Sequence, residues 1–431
     1  MKTRSSNHNS RIGFLTAVLL AVGATARSAD TPALKDAYKD HFFVGAAVNR
    51  TIATGTAVRA DNVRRTSEQV EKDIALAKDQ FNQISPENDL KWALIHPREG
   101  AEGYDFGPAD AFVNFGLSNN MYIVGHTLVW HGQTPRWVFQ GTNMPPGVTN
   151  APSPVPAAAP DTAGTNGPGG GRFGRGFGGG FGRGGFAGPR ASREELLQRM
   201  RDHIHTVVGR YKGKIKTWDV VNEAIADGGT NILRNSLWLE IIGPDFIAKA
   251  FEYAHEADPD AILRYNDYGL ENPSKRRKLI TLIKSLQEQH VPVMAIGSQA
   301  HLNVSTSFEA MDQALTDMET LGLPIHITEL DVNSAQAGQR STSADISNND
   351  ATTQGGLVDD ANRKQADAYA GLFRAFAKHD KSVKVVTFWG VNDGVSWRAN
   401  GKPLLFDGKN QPKPAFDAVI RAAIGEQLNP R

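Results

Sequence analysis

A chain of 431 residues, 40% of them hydrophobic and 22% charged, can hold one large α/β barrel or two ordinary domains, and has the balance of a globular protein. Its formal net charge of +1 supplies no global field to attract nucleic acid or an anionic membrane; a neutral polymer fits that balance, and so do many other partners. The absence of cysteine excludes disulfides, thiolate catalysis, a lipid-modified N-terminal cysteine and cysteine-ligated zinc, so stability has to come from the core.

The chain opens with a basic leader (Lys2, Arg4, Arg11), a short apolar run from Phe14 to Val22, and small residues at Ala24-Thr25-Ala26. This is the pattern of an export signal over residues 1–26, and the run is too short for a lasting membrane anchor. The expectation is an exported protein, periplasmic or extracellular, with one folded domain over residues 32–431.

Short apolar or β-branched runs then recur, each followed by an amphipathic stretch. The strand candidates are Phe42–Val48, Gln83–Asn88, Tyr122–Trp130, Thr217–Asn222, Ile262–Asn266, Ala295–His301, Ile325–Leu330 and Val385–Trp389. Between the third and fourth lies Gly141–Arg190, rich in Pro and Ala and then in Arg, Phe and Gly, which cannot bury a core and is expected to be a disordered insertion. It reads either as a tolerated surface insertion or as a flap whose arginines and phenylalanines touch substrate or a partner. Ser192 and Glu195 form a capping box, and behind it Leu196, Met200, Ile204, Val207 and Tyr211 share one helical face. Asn272 before Pro273 marks another helix start. The polar segment Ser334–Val358 reads as a long loop after the seventh strand, and Pro414–Ile424 as the last helix.

Eight strand–helix units suit a closed parallel (β/α)8 barrel, a TIM barrel, although periodicity alone does not separate it from an open doubly wound sheet. The deciding hint is that polar and aromatic residues crowd the strand C-terminal ends: Glu87-Asn88, His126, Asn222-Glu223, Tyr265-Asn266, Gln299, His301, Glu329 and Trp389. In a closed barrel those ends open on one face, where such proteins keep their sites.

Glu223 and Glu329, at the fourth and seventh strand ends, form the pair that glycosidic hydrolysis requires: one carboxyl to protonate the leaving oxygen, one to attack or stabilise the sugar cation. A retaining mechanism needs them within about 5–5.5 Å. An ionised Glu329 disfavours a second charge nearby and keeps Glu223 protonated as the acid. Either glutamate alone could be a structural ion-pair partner.

At these residues the chain resembles the xylanases of glycoside hydrolase family 10. The matching blocks are Glu87-Asn-Asp-Leu-Lys-Trp92, His126-Thr-Leu-Val-Trp-His131, Trp218-Asp-Val-Val-Asn-Glu-Ala224, Tyr265-Asn-Asp-Tyr268, Gly297-Ser-Gln-Ala-His-Leu302, Ile327-Thr-Glu-Leu-Asp331 and Thr387-Phe-Trp-Gly390, with Trp397-Arg398 and Leu404-Leu-Phe-Asp407 beyond them. The resemblance implies an endo-1,4-β-xylanase with net retention, Glu223 as acid/base and Glu329 as nucleophile. It implies that Asn222 bonds the sugar 2-hydroxyl and that His301, with Asp331 behind it, holds the nucleophile; a neutral imidazole suffices for that donation. Gln299, His126 and Lys91 match ligands of the −1 sugar, and Glu87, Asn88 and Lys91 the grip on −2. Trp389 and Trp397 match an aromatic roof, Trp130 lines the same cleft, and Tyr268 is the expected stacking platform on the leaving-group side.

Xylan and xylo-oligosaccharides are then the partners, with no nucleic acid, no membrane anchor and a monomeric state expected. No cofactor is needed, and His126 and His131 lack a third ligand at a metal-binding spacing, so no metal is expected. A related barrel acting mainly on cellulose, mixed-linkage glucan or aryl-glycosides is the alternative enzyme. A barrel that only binds polysaccharide would be expected to lack one of the two glutamates. Asp89-Leu90 and Gly269-Leu270 depart from the family pattern, as does the glycine-rich insertion.

Overall fold

The computed structural model describes residues 31–57, 65–141, 189–334 and 355–425. The expected export signal, the body of the Gly141–Arg190 insertion and most of the Ser334–Val358 loop lie outside the described residues. All the elements below belong to the unit Pro32–Arg431.

Nine strand segments are present among the described residues: β1 (Phe43–Val48), β2 (Gln83–Pro86), β3 (Tyr122–Trp130), β4 (Thr217–Asn222), β5 (Ile262–Asp267), β6 (Ala295–Ser298), β7 (His301–Asn303), β8 (Ile325–Asn333) and β9 (Val383–Phe388). Every pairing is parallel. β1 pairs with both β2 and β9, and β6 pairs with both β5 and β8, so the sheet closes on itself. β6 and β7 follow one another along β8, which leaves eight positions around the barrel. This is the expected TIM barrel, closed rather than doubly wound. The strands are buried at nearly every position, β4 throughout, because helices cover the outside and side chains fill the inside.

Several helices begin at a side-chain cap. Ser192 Oγ accepts from the Glu195 N–H while Glu195 reaches back to the Ser192 N–H, so the box read from the sequence is present ahead of helix Arg193–Arg210. Asn272 accepts from the Ser274 N–H, with Pro273 at the first helical position. Each of these helices turns an apolar stripe inward. Full burial of one Leu or Ile contributes about 1.5–3 kcal/mol, so the stripe outweighs any single cap.

Two expectations need correction. The sixth strand does not run unbroken from Ala295 to His301. Ser298 faces Ile327 and His301 faces Asp331, three steps on one side against four on the other. The ladder absorbs the extra residue by a break in which Ala300 adopts φ +60°. The polar loop is also shorter than Ser334–Val358, because helix Gly355–Lys378 already includes its last residues. Glycines have low helical propensity and hide the start of a helix whose stability comes from its packed later turns.

The two ends of the insertion are tied at their root. Gln140 and Arg190 form an antiparallel bridge, the Gly141 N–H donates to Pro189 O at 2.8 Å, and the Ala191 N–H donates to Phe139 O at 2.9 Å.

Beside this root, helix Arg193–Arg210 buries His203 in an aromatic stack. Its ring lies 3.7 Å from Trp92 at 4°, with His96 and Tyr104 next to it. Neither His203 nitrogen has a hydrogen-bond partner among the described residues. Burial pushes His203 well below the ordinary imidazole range, with the His96 charge adding to it, and burial brings His96 down to about 4. An unfolded chain therefore takes up these protons first. Stability is present above pH 6.5 and is lost as the pH falls from there toward about 4 and below. Urea midpoints should fall across this window, and His203→Phe, which keeps the stack without the basic nitrogens, should flatten the decline; an unchanged slope in that variant would contradict the assignment.

Candidate active site

Glu223 follows β4 directly and Glu329 lies within β8; both carboxyl groups are buried. One chain of amides joins them. Gln299 Nε2 donates to Glu223 Oε1 at 3.0 Å and to Asn222 Oδ1 at 3.2 Å. Asn266 Nδ2 donates to the same Asn222 oxygen at 2.9 Å and to Glu329 Oε1 at 2.9 Å. Asn266 is oriented in turn by the Thr328 hydroxyl at 2.7 Å. A side chain at position 297 would not permit this, since a Cβ on Gly297 would sit 2.3 Å from Asn266 Oδ1. With the Asn222 oxygen doubly engaged, its Nδ2 is the end left for a ligand. Trp130 Nε1 donates to the other Glu223 oxygen at 2.8 Å.

Glu223 has φ +59°, a left-handed conformation that non-glycine residues avoid. The β3–β4, β4–β5 and β8–β9 ladders all shift register just before their C-terminal ends. Such bulges re-aim the side chains at a barrel mouth.

Glu329 Oε2 meets His301 Nε2 at 3.1 Å, and His301 Nδ1 meets Asp331 Oδ2 at 3.0 Å. A neutral imidazole carries a single N–H and can donate to only one of two flanking carboxylates. The neutral ring expected from the sequence is therefore corrected to an imidazolium donating on both sides. Burial disfavours the charged ring, but Asp331 and Glu329 overcome it and push His301 up to about 9. Burial likewise acts to raise Glu329, and is outweighed by the His301 hydrogen bond and the His126 and His301 charges, so Glu329 lies below its ordinary value. Asp331 also accepts from Trp397 Nε1 at 2.9 Å and Arg398 Nη1 at 2.8 Å.

His126 donates from Nδ1 to Asp219 at 3.0 Å, and Asp219 is gripped by both arms of Arg264 at 2.6 and 3.0 Å. Burial works against the Asp219 charge, but Arg264 and His126 prevail and hold it down to about 2. Arg264 Nη1 also donates to His326, which burial and the Arg264 charge bring down to about 3. This buried network fixes His126 from behind, and its ring stands 5.3 Å from Trp389. Sequence reasoning missed Asp219, Arg264 and Asn266 as site residues. A signal existed for the first two: they are opposite charges in the interiors of consecutive strands, and the register places them face to face.

The remaining expected residues lie around this centre. Lys91 Nζ donates to Asn88 Oδ1 at 2.8 Å and stands 5.3 Å from the Trp130 ring. Glu87 follows β2, its N–H on Val48 O at 3.0 Å. The Trp397 ring meets His301 edge-on at 5.0 Å. Tyr268, the expected stacking platform, has partners of its own: Lys275 Nζ stands 3.3 Å from its ring centroid, and its hydroxyl donates to Asp227 and accepts from Arg234, each at 2.6 Å. One ring face is thus occupied by an ammonium group. Among the described residues no group of three or more His, Asp or Glu is gathered in the way a metal ion would need.

The sequence model of glycosyl hydrolase family 10 matches residues 33–151 and 186–422. A β-1,4-xylanase of Dictyoglomus thermophilum is 34% identical over 404 residues, 92% of this chain and 92% of that protein. Several longer relatives are covered over only 28% to 48% of their own length. Among solved structures, xylanase XynB of Paenibacillus barcinonensis superposes with a TM-score of 0.71 at 32% identity, covering 91% of this chain and 99% of that one. The xylanase TsXylA of Thermoanaerobacterium saccharolyticum, described as intracellular, gives a TM-score of 0.69 at 34% identity over 91% and 99% of the two chains.

The His301 contacts have a direct spectroscopic consequence. With its folded value raised above 6.5, the stabilisation they provide is complete below pH 6.5 and is lost as the pH rises through about 9. Imidazole NMR should find His301 doubly protonated at neutral pH with a midpoint near 9, moved down in Asp331→Asn. A wild-type midpoint near 6.5 would contradict the charged ring.

Proposed function

The chain belongs to glycosyl hydrolase family 10, and from this we infer that it is a retaining endo-1,4-β-xylanase hydrolysing internal bonds of xylan. We propose Glu329 as its nucleophile and Glu223 as its acid/base. The observation that carries this assignment is the amide chain Gln299–Asn222–Asn266, which binds both carboxyl groups into one site at the mouth of the barrel.

In the first step a Glu329 oxygen attacks the anomeric carbon as the bond to the leaving oxygen breaks, and Glu223 gives that oxygen its proton. The product is a glycosyl ester on Glu329. In the second step water attacks the same carbon, passes its proton to Glu223 and releases Glu329 as carboxylate. The His301 imidazolium keeps Glu329 ionised between turnovers. Asn222 Nδ2 is suited to the sugar 2-hydroxyl, whose hydrogen bond strengthens as positive charge develops on the ring. Trp389 and Trp397 offer apolar faces and edges to xylose C–H groups, and Lys91, Asn88 and Glu87 offer hydroxyl partners farther along the cleft.

The leader over residues 1–26 supports export to the periplasm or medium. Among the described residues no helix is long and apolar enough to cross a membrane, and the exposed large apolar side chains are the scattered Phe43, Leu117 and Ile424, which supports a monomer. Sequencing the N-terminus of secreted protein should begin after Ala26, and light scattering should give the monomer mass.

Glu223→Ala and Glu329→Ala should each lower turnover of xylan by roughly 10³-fold. Azide should restore activity on an activated aryl xylobioside with opposite stereochemistry: a β-azide from the Glu223 variant and an α-azide from the Glu329 variant, both read by proton NMR. Unchanged xylan cleavage in Glu223→Ala would sink the assignment, and faster hydrolysis of carboxymethyl-cellulose than of xylan would shift the substrate to glucan.

A further inference from the structure

Glu223 holds its left-handed conformation at the start of a small turn whose polar backbone is gripped from two sides. On one side three successive N–H groups are taken: that of Glu223 by Asn266 O at 2.9 Å, that of Ala224 by the Tyr265 hydroxyl at 3.0 Å, and that of Ile225 by Asp267 Oδ2 at 3.2 Å. On the other side is Arg234. Its backbone N–H donates to Ala224 O at 2.7 Å and its Nε to Glu223 O at 3.1 Å, while Nη2 stands 3.5 Å from Ile225 O.

The same guanidinium is anchored outward. Nη2 donates to Asp227 Oδ2 at 3.0 Å and to the Tyr268 hydroxyl at 2.6 Å. Asp227 in turn accepts from Lys275 Nζ at 2.9 Å, and Lys275 pairs with Asp267 at 2.9 Å. Arg234, Asp227, Lys275 and Asp267 thus form a run of alternating charges that ends on the acid holding the Ile225 N–H. Lys275 and Asp267 are almost fully buried, so removing Lys275 would leave the Asp267 charge without its cation. Only the carboxyl group of Glu223 is left to face the cleft, where Trp130 and Gln299 receive it.

We propose that Arg234 is the positioning residue for the acid/base: it fixes the peptide carbonyl of Glu223, and so the direction in which that carboxyl delivers its proton. The inference rests on the reading of Glu223 as acid/base. Arg234 acts through the backbone and needs no contact with the sugar. A planar fork that meets the Glu223 carbonyl, a carboxylate and a phenol together is a task for arginine, and lysine lacks the geometry for it. A misplacement of about 1 Å is enough to cost on the order of 10²-fold in rate.

The test separates proton delivery from general damage. Phenyl β-xylobioside has a poor leaving group that needs the acid; 2,4-dinitrophenyl β-xylobioside has one that departs unaided. In Arg234→Ala, kcat/KM should fall about tenfold further on the phenyl substrate than on the dinitrophenyl one. Tyr265→Phe, which releases the Ala224 N–H from the opposite side, should show the same bias. Circular dichroism and thermal midpoints show which variants are folded. Should Arg234→Ala fail to fold, Arg234→Lys, which keeps the charge and loses the fork, replaces it. A bias of about threefold or more supports the positioning role, and a smaller one overturns it. Glu223→Ala runs alongside: if it shows no leaving-group bias the acid/base assignment itself fails, whereas a strong bias there with none in the Arg234 variants rejects this inference alone.

Discussion

Closure of the parallel ladder is the constraint on which everything else depends. β1 pairs with β9 and β6 with β8, so the ring of strands closes and their C-terminal ends emerge on one side, the short β7 continuing β6 along β8. Residues far apart in sequence, such as His126, Glu223 and Glu329, then share a small volume without any loop having to carry them there. Because each strand is buried on both faces, the barrel can hold polar groups only where they satisfy one another or reach the mouth. The site grows from that rule.

The charges inside the barrel obey it as paired sets. Asp219 is answered by Arg264 and His126, and Glu329 and Asp331 by His301 and Arg398. Taking a charge from water is costly, and removing one member of a buried pair leaves the other uncompensated. Each set consequently holds its neighbour at a chosen protonation state: His301 charged between two carboxylates, His326 neutral beside a guanidinium. The proposed nucleophile inherits its ionised state from this arrangement and not from exposure to water.

Much of this was legible in the amino-acid order. The strand positions followed from apolar runs, the helix starts from Ser192, Glu195, Asn272 and Pro273, and the barrel mouth from polar residues at strand ends. What stayed hidden was whatever depends on register. The break at Ala300 arises because β8 carries one residue more than the segment opposite, and no local propensity announces it. The pairing of Asp219 with Arg264 needs two strands aligned, and the bridging role of Asn266 needs three side chains placed at once. The company Tyr268 keeps was hidden for the same reason: nothing near it in sequence shows that a lysine from the following helix lies on one of its ring faces.

The bridge at the root of the Gly141–Arg190 segment has a consequence for how the molecule can change. Because Gln140 meets Arg190 in an antiparallel bridge, the two ends of the segment are held side by side whatever the length of chain between them. Entropic closure grows only logarithmically, about 0.6 kcal/mol for each doubling of length. A bridge so placed suits a splice junction. Tags, reporter modules or whole foreign domains could be exchanged there while the strands that carry the chemistry keep their register, and lineages could lengthen or shorten the intervening stretch with little thermodynamic penalty.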